Sequence, residues 1–465
     1  MKSESQGGLG RKLDSRDRHR EGAVLAAALI LVMLLGILAV AILQINDHVG
    51  MEAADEVNDA NAFWAAEAGI EHAKVLGQKG RKPFSQISYR SGTLWGTNVL
   101  TGTTSKGGYT VSIADDPGWV NANHALKKYV ITSVGTTATG SRRIITVKAW
   151  LTNFAGYMHA SQQENGVYFL DGDRIDGPVY TNDRLNIQNP SGGGPVFLQL
   201  VSSAMPASST NPNYSGTTPS ATQFNAIFTA GLALNATPLD ISGQFSSDHI
   251  ADIKSESGNG GLRLDGAAAT NYSFVFLSNG KFTYQKGVAT NSPVVTNSLA
   301  ALTNGLIYVD GDVYVRGAVN GNVTLAAEHS IYITSNLVYV SALPPNNPFV
   351  NTNTFSILSV TNMLGLMAKT NVIVLGTNTV EIHASVMTTT GGVNAEKCYT
   401  DIGGKYIRLY GSVSQYSRGV VSRNSSPFQG FHKDYKFDTR FGTEAPPWFP
   451  ASVYVFTGWS QAGGN

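Results

Sequence analysis

Ala23–Leu43 reads AVLAAALILVMLLGILAVAIL, with no charge and no proline. At about 1.5 Å of rise per residue, the run makes a helix of roughly 31 Å, the thickness of a bilayer's hydrocarbon core. A cleaved secretory signal has a shorter apolar core, of about 7–15 residues, ahead of a small-residue exit. No Ala-x-Ala follows Leu43 here. Upstream, Lys2, Arg11, Lys12, Arg16, Arg18 and Arg20 crowd a polar segment expected to be unstructured. That excess of positive charge keeps the amino terminus cytoplasmic and sends everything beyond about Gln44 across the membrane. Downstream, Ile45–Leu76 contains no proline and only Gly50 and Gly69, so the helix continues out of the membrane. Val49, Ala53, Ala60, Phe63, Ile70 and Ala73 recur at helical spacings, while Glu52, Asp55, Glu56, Asp59, Glu67 and Glu71 lie largely elsewhere. Such a helix, apolar in one half and amphipathic in the other, needs partner helices or a globular head of its own.

Three motifs then combine. Arg18–Gly22 (RHREG) precedes the apolar run, Asn61–His72 reads NAFWAAEAGIEH, and Tyr129–Leu151 reads YVITSVGTTATGSRRIITVKAWL. Together they resemble the amino-terminal region of type IV pilins and type II secretion pseudopilins, most closely the PilX-like minor pilin family, over roughly the first 150 residues. The resemblance implies cleavage by prepilin peptidase after Gly22, leaving Ala23 as the first mature residue. It also implies helix packing against neighbouring subunits through Leu25, Ala27, Gly36, Phe63, Glu67 and Ile70. Most major pilins carry glutamate at the fifth mature position, where this chain has Ala27. That departure favours a minor or initiating subunit, as does the length of chain beyond the head. The implied location is the bacterial inner membrane, single-pass, with the bulk periplasmic and then on a pilus or the cell surface. The implied partners are other pilin subunits, the peptidase and a surface glycan or other adhesive ligand.

The fold class expected is α+β. Residues 1–22 form a leader, 23–80 the long helix, 81–155 a small antiparallel head and 156–465 a β-rich domain. Arg81–Lys106 reads as a connector, and Tyr109–Ala114, Tyr129–Val134 and Ile144–Trp150 as strands of the head. Beyond Gly156, short apolar stretches such as Leu306–Val309, Val313–Val315, Val323–Ala326 and Ile331–Thr334 alternate with Gly, Asn and Asp corners. Their spacing suits a parallel β-helix, with a β-sandwich as the alternative. A weak repeat pairs Gly166–Asp173 (GVYFLDGD) with Gly305–Asp312 (GLIYVDGD). Pro190–Thr222 reads as an exposed low-complexity insertion, Thr222–Leu234 as holding a short helix, and Phe431–Pro450 as a cap over an open end.

Little in the chain points to catalysis. Of 465 residues 14% are charged, with Lys plus Arg 33 against Asp plus Glu 32, which excludes a broad basic nucleic-acid surface. Cys398 is the only cysteine, the nine histidines form no His-x-His or His-Glu-x-x-His pair, and no phosphate-binding loop or Gly-x-Ser-x-Gly elbow is present. Asp171, Asp173, Asp310 and Asp312 are weak candidates for calcium or for glycosidase acids, and are better read as turn residues. A non-enzymatic structural subunit without cofactor or metal is therefore expected. The rival is a membrane-anchored polysaccharide enzyme or a static envelope protein.

Overall fold

The computed structural model describes residues 15–80, 84, 87–90, 92–117, 128–188, 193–207, 211–236, 247–266, 270–288, 292–350, 352–353, 355–442 and 444–463. The rest of the expected leader, residues 1–14, lies outside them. Helix α1 spans Ser15–Gly80, 66 residues without a break, so it begins within the stretch expected to be leader. Among the described residues one helix is long and apolar enough to cross a membrane, and none of its apolar window is buried against the rest of the chain.

The amphipathic half of α1 lies on an antiparallel sheet. Its first four strands follow in order, β1 (Gly96–Thr104), β2 (Gly107–Asp115), β3 (Lys128–Thr136) and β4 (Arg142–Asn153). Alternation along β2, β3 and β4 turns Val111, Ile113, Tyr129, Ile131, Ile145, Val147 and Ala149 toward the helix. They meet Ala66, Ile70, Ala73 and Phe84 in one core. The stretch expected as a connector, Arg81–Lys106, contains β1, because Leu100–Thr104 pairs into the sheet despite its weak apolar pattern.

The fifth strand of this sheet is Ala451–Gly463, the last described segment of the chain, antiparallel to β4. The boundary drawn at 156–465 is thus corrected. The β-rich region is inserted between two neighbouring strands of the head, and the chain returns to finish the sheet it began. Two register shifts and Gly458 at φ +61° interrupt the outer strand, a device that discourages pairing along an open edge.

Within the insertion, strands stack in parallel ladders. The longest runs in space through Leu262–Leu264, Leu306–Val309, Asn322–Ala327, Met363–Ala368, Val380–Thr388, Tyr406–Ser417, His159–Gln163, Val179–Thr181, Val201–Ser203 and Leu232–Ala233. A second runs through Tyr272–Phe276, Val313–Val319, Ile331–Tyr339, Val372–Val374 and Val393–Ala395. A third joins Tyr406–Ser417, His432–Phe437, Arg174–Asp176 and Val196–Phe197. Aligned registers stack like on like. Ile307, Leu325, Leu366, Val386, Val413, Val179 and Val201 form an inward apolar column, with His159 between Val413 and Val179.

The spatial order is a cyclic permutation of the chain order. From β4 the chain enters at the middle and winds outward to Leu232–Ala233. It then crosses to the far end at Leu262–Leu264 and winds back to meet itself. Helix α2 (Ala221–Ile227), opened by a Ser220 capping box, realises the expected short helix, and Phe228 at its end stacks on Phe197. Helix α3 (Ser247–Ser257) was not anticipated; its Ile250 and Ile253 cover the outer face of the first ladder.

Two other expectations give way. Phe197 and Val201, inside the supposed insertion 190–222, are fully buried ladder residues, because short apolar pairs among Ser and Gly suffice for a two- or three-residue rung. His432–Phe437 is a mid-ladder strand, and the segment that follows lies along the side of the ladder rather than over its end. Phe441, Ala445 and Phe449 pack there on Met363, Met367 and Met387, an outward apolar row that would otherwise face water.

Candidate functional site

The helix presents two different surfaces. Gly22, Leu25, Ala27 and Gly36 lie on its bare half; Leu25 is exposed, and nothing in the chain approaches within 4 Å of a Cβ placed at Gly22 or Gly36. In the second half the small residues of the Asn61–His72 run allow close docking. A Cβ on Gly69 would sit 2.2 Å from the Ser133 Oγ, and one on Gly135 would sit 2.0 Å from the Ala62 carbonyl. Arg143 pairs with Asp59, and the His72 Nδ1 shares a 2.9 Å hydrogen bond with the Tyr109 hydroxyl.

Not all the expected packing residues are therefore free for neighbours. Ile70 is fully buried in its own head, which corrects its assignment to an intersubunit contact. Phe63 packs edge-on to Trp459 of the C-terminal strand, whose indole N–H donates to Glu67 at 3.3 Å. Val57, Trp64 and Val75 remain exposed on the opposite face.

The Asp-Gly-Asp triplets form corners. Asp312 Oδ1 accepts the Ser330 amide at 2.9 Å, and Asp310 faces Lys254 at 3.6 Å. Asp171 is exposed, whereas Asp173 is buried. The two copies turn different corners, since Leu306–Val309 lies in the first ladder while Phe169 bridges Ile187 outside it. Among the described residues no group of three His, Cys, Asp or Glu side chains could hold a metal ion.

The most concentrated chemistry lies where the two ends of the insertion meet, at residues that, Asp173 apart, sequence reading missed. Glu164, Arg418, Asp173 and Lys433 are all buried, in two ion pairs, Arg418–Glu164 and Lys433–Asp173. Glu164 also accepts from Ser161 and faces the His159 Nε2 at 3.3 Å. Arg418 lies 3.6 Å from the centre of the Phe169 ring. Asp173 accepts the Leu170 amide at 2.9 Å and the Lys433 amide at 2.8 Å.

Burial works against the charge of Glu164, but Arg418, His159 and Ser161 outweigh it and hold the carboxyl at about 2. Burial pushes the His159 imidazole below its ordinary range, only partly offset by Glu164. It also draws the Lys433 amine down against the pull of Asp173. These partners stand more than 250 residues apart in sequence. No local spacing could reveal them; the available signal was a charge in or directly beside short strands of a charge-poor chain.

No protein-family model matches the chain, and no curated protein matches it. Among solved structures, the competence-associated pilin ComZ from Thermus thermophilus matches with a TM-score of 0.31 at 13% identity, covering 88% of this chain and 98% of that one. A likeness at that level carries no argument.

Proposed function

We propose that the chain is a pilin-type structural subunit, of the minor or initiating kind, that joins a type IV pilus or a type II secretion filament. The observation that carries this reading is the division of α1. One uninterrupted helix is built into its own sheet through Ala62–Ala73 and left bare over a membrane-spanning length before it. A static anchor has no need of a rigid helix running from the membrane into the core of the head, whereas a subunit drawn from the bilayer into a bundle of like helices does. On this reading prepilin peptidase cuts after Gly22, the amino terminus is cytoplasmic, and the head and insertion are periplasmic until assembly carries them to a pilus or the surface.

We read the three parallel ladders as the sides of a parallel β-helix, which serves as a priming or adhesive body toward a glycan or protein ligand. Ala27 and the bulk of the insertion support a rare, tip-proximal copy rather than a repeated one. The protein works by packing and not by catalysis. In support, Asp173 is sealed inside and bonded to Lys433, and Asp312 is spent on a backbone amide.

Replacing Gly22 tests the processing step in the native host. Gly22→Phe is expected to accumulate as a slower-migrating precursor absent from sheared filaments. Wild type and variant migrating alike would count against a prepilin.

A further inference from the structure

At the seam the Lys433 Nζ lies 2.7 Å from the Asp173 Oδ2, with side chains 6% and 0% exposed. The Phe169 ring centre is 5.8 Å from that nitrogen, and Glu164 belongs to the same buried cluster. We propose that this pair is a covalent modification site, at which Lys433 and Asp173 condense to an intramolecular isopeptide bond that staples the two halves of the insertion together.

The step balances without an oxidant or cofactor. A proton passes from the ammonium to the carboxylate, giving an amine and a carboxylic acid. The amine attacks the Asp173 Cγ, the new C–N bond forms, and the C–OH bond breaks. A second proton from the nitrogen leaves with the hydroxyl as water.

Three features favour condensation. An ion pair shut away from water bears a desolvation cost that a neutral amide largely avoids. Condensation removes one positive and one negative charge and leaves Arg418 matched with Glu164, so the cluster stays electrically balanced. Burial also favours the neutral amine that must act as nucleophile. The bond would close a loop of 260 residues at the one place where early and late rungs meet, restricting the unfolded chain most.

The test is peptide mass mapping of full-length protein purified in detergent and shown to be folded by circular dichroism. The expected result is a branched peptide containing both Asp173 and Lys433, lighter by one water than its two parts. It should be absent in Lys433→Arg, which keeps the charge but cannot condense. Asp173→Asn should give the same branched peptide with ammonia lost instead of water. Recovery of the two peptides separately, each at full mass, from folded wild-type protein would overturn the proposal and leave a buried ion pair. If Lys433→Arg does not fold, the wild-type map alone decides.

Discussion

Gly135 and Glu164 show how single side chains set this structure. At Gly135 the helix backbone occupies the space a side chain would need, so Gly135→Val should lift α1 from the sheet. A well-packed core loses about 1–3 kcal/mol on overpacking, and a clash with backbone belongs at the upper end. Hydrogen exchange across Ala62–Ala73 should quicken in Gly135→Val and stay unchanged in Gly50→Ala, where no atom lies within 4 Å.

Glu164 makes a pH prediction. Its carboxyl is held at about 2 against an ordinary 4.5, so its stabilising contribution is complete above pH 4.5 and is lost as the pH falls toward 2. His159 adds to the same trend. Its folded-state affinity for protons is depressed, so its contribution is present above about pH 6.5 and is lost as the pH falls through its lower folded value. Glu164→Gln should flatten the acid limb of urea unfolding curves. It should also cost about 3–5 kcal/mol at neutral pH, because Arg418 is left buried without its partner. The role of Gly135 was not legible, because the expected strand stopped at Val134 and the glycine read as the start of a turn, whereas the strand runs on to Thr136. Nor was that of Glu164, since its partner is set by which rungs meet and not by local spacing.

Among the elements, the C-terminal strand Ala451–Gly463 and the segment before it behave as one brace. Arg440, paired with the buried Asp438, donates to the Val360 and Asn362 carbonyls at 2.9 Å, and Phe441 and Phe449 then lie on the ladder's methionines. Tyr454 carries the brace into the head core, 4.4 Å from the Phe84 ring centre. Tyr454→Ala should cost about 3 kcal/mol, by analogy with the loss of other large buried aromatics. Limited proteolysis should then cut the variant between 439 and 463 while sparing the ladders.

The strands themselves were largely legible. Leu306–Val309 and Val313–Val315 announce themselves through apolar runs bounded by Gly, Asn and Asp, and β2–β4 fall close to their expected bounds. Rungs as short as Val196–Phe197 were lost in Ser- and Gly-rich surroundings. The pairing of the last strand with β4 could not be read, because an alternating strand does not declare which sheet it completes.

At the scale of the whole molecule, the insertion leaves the head between two adjacent strands and is joined to it by two short segments that touch each other. The Phe154 carbonyl accepts from Ser414, and Phe154 and Phe441 share one buried cluster. The β-rich body is thereby fixed to the ladder side of the joint rather than hung on a loose linker. A partner engaged by that body would act on the head and, through Ala62–Ala73, on α1. The seam is the corresponding point of weakness, since every contact across it joins residues far apart in sequence.

The central claim is that α1 is a processed filament helix rather than a permanent anchor. The most direct measurement is the amino-terminal sequence of the protein recovered from sheared surface filaments or membranes of its own host. The account predicts a chain beginning at Ala23. A chain that still begins at Met1, or one that begins beyond Leu43, would contradict it.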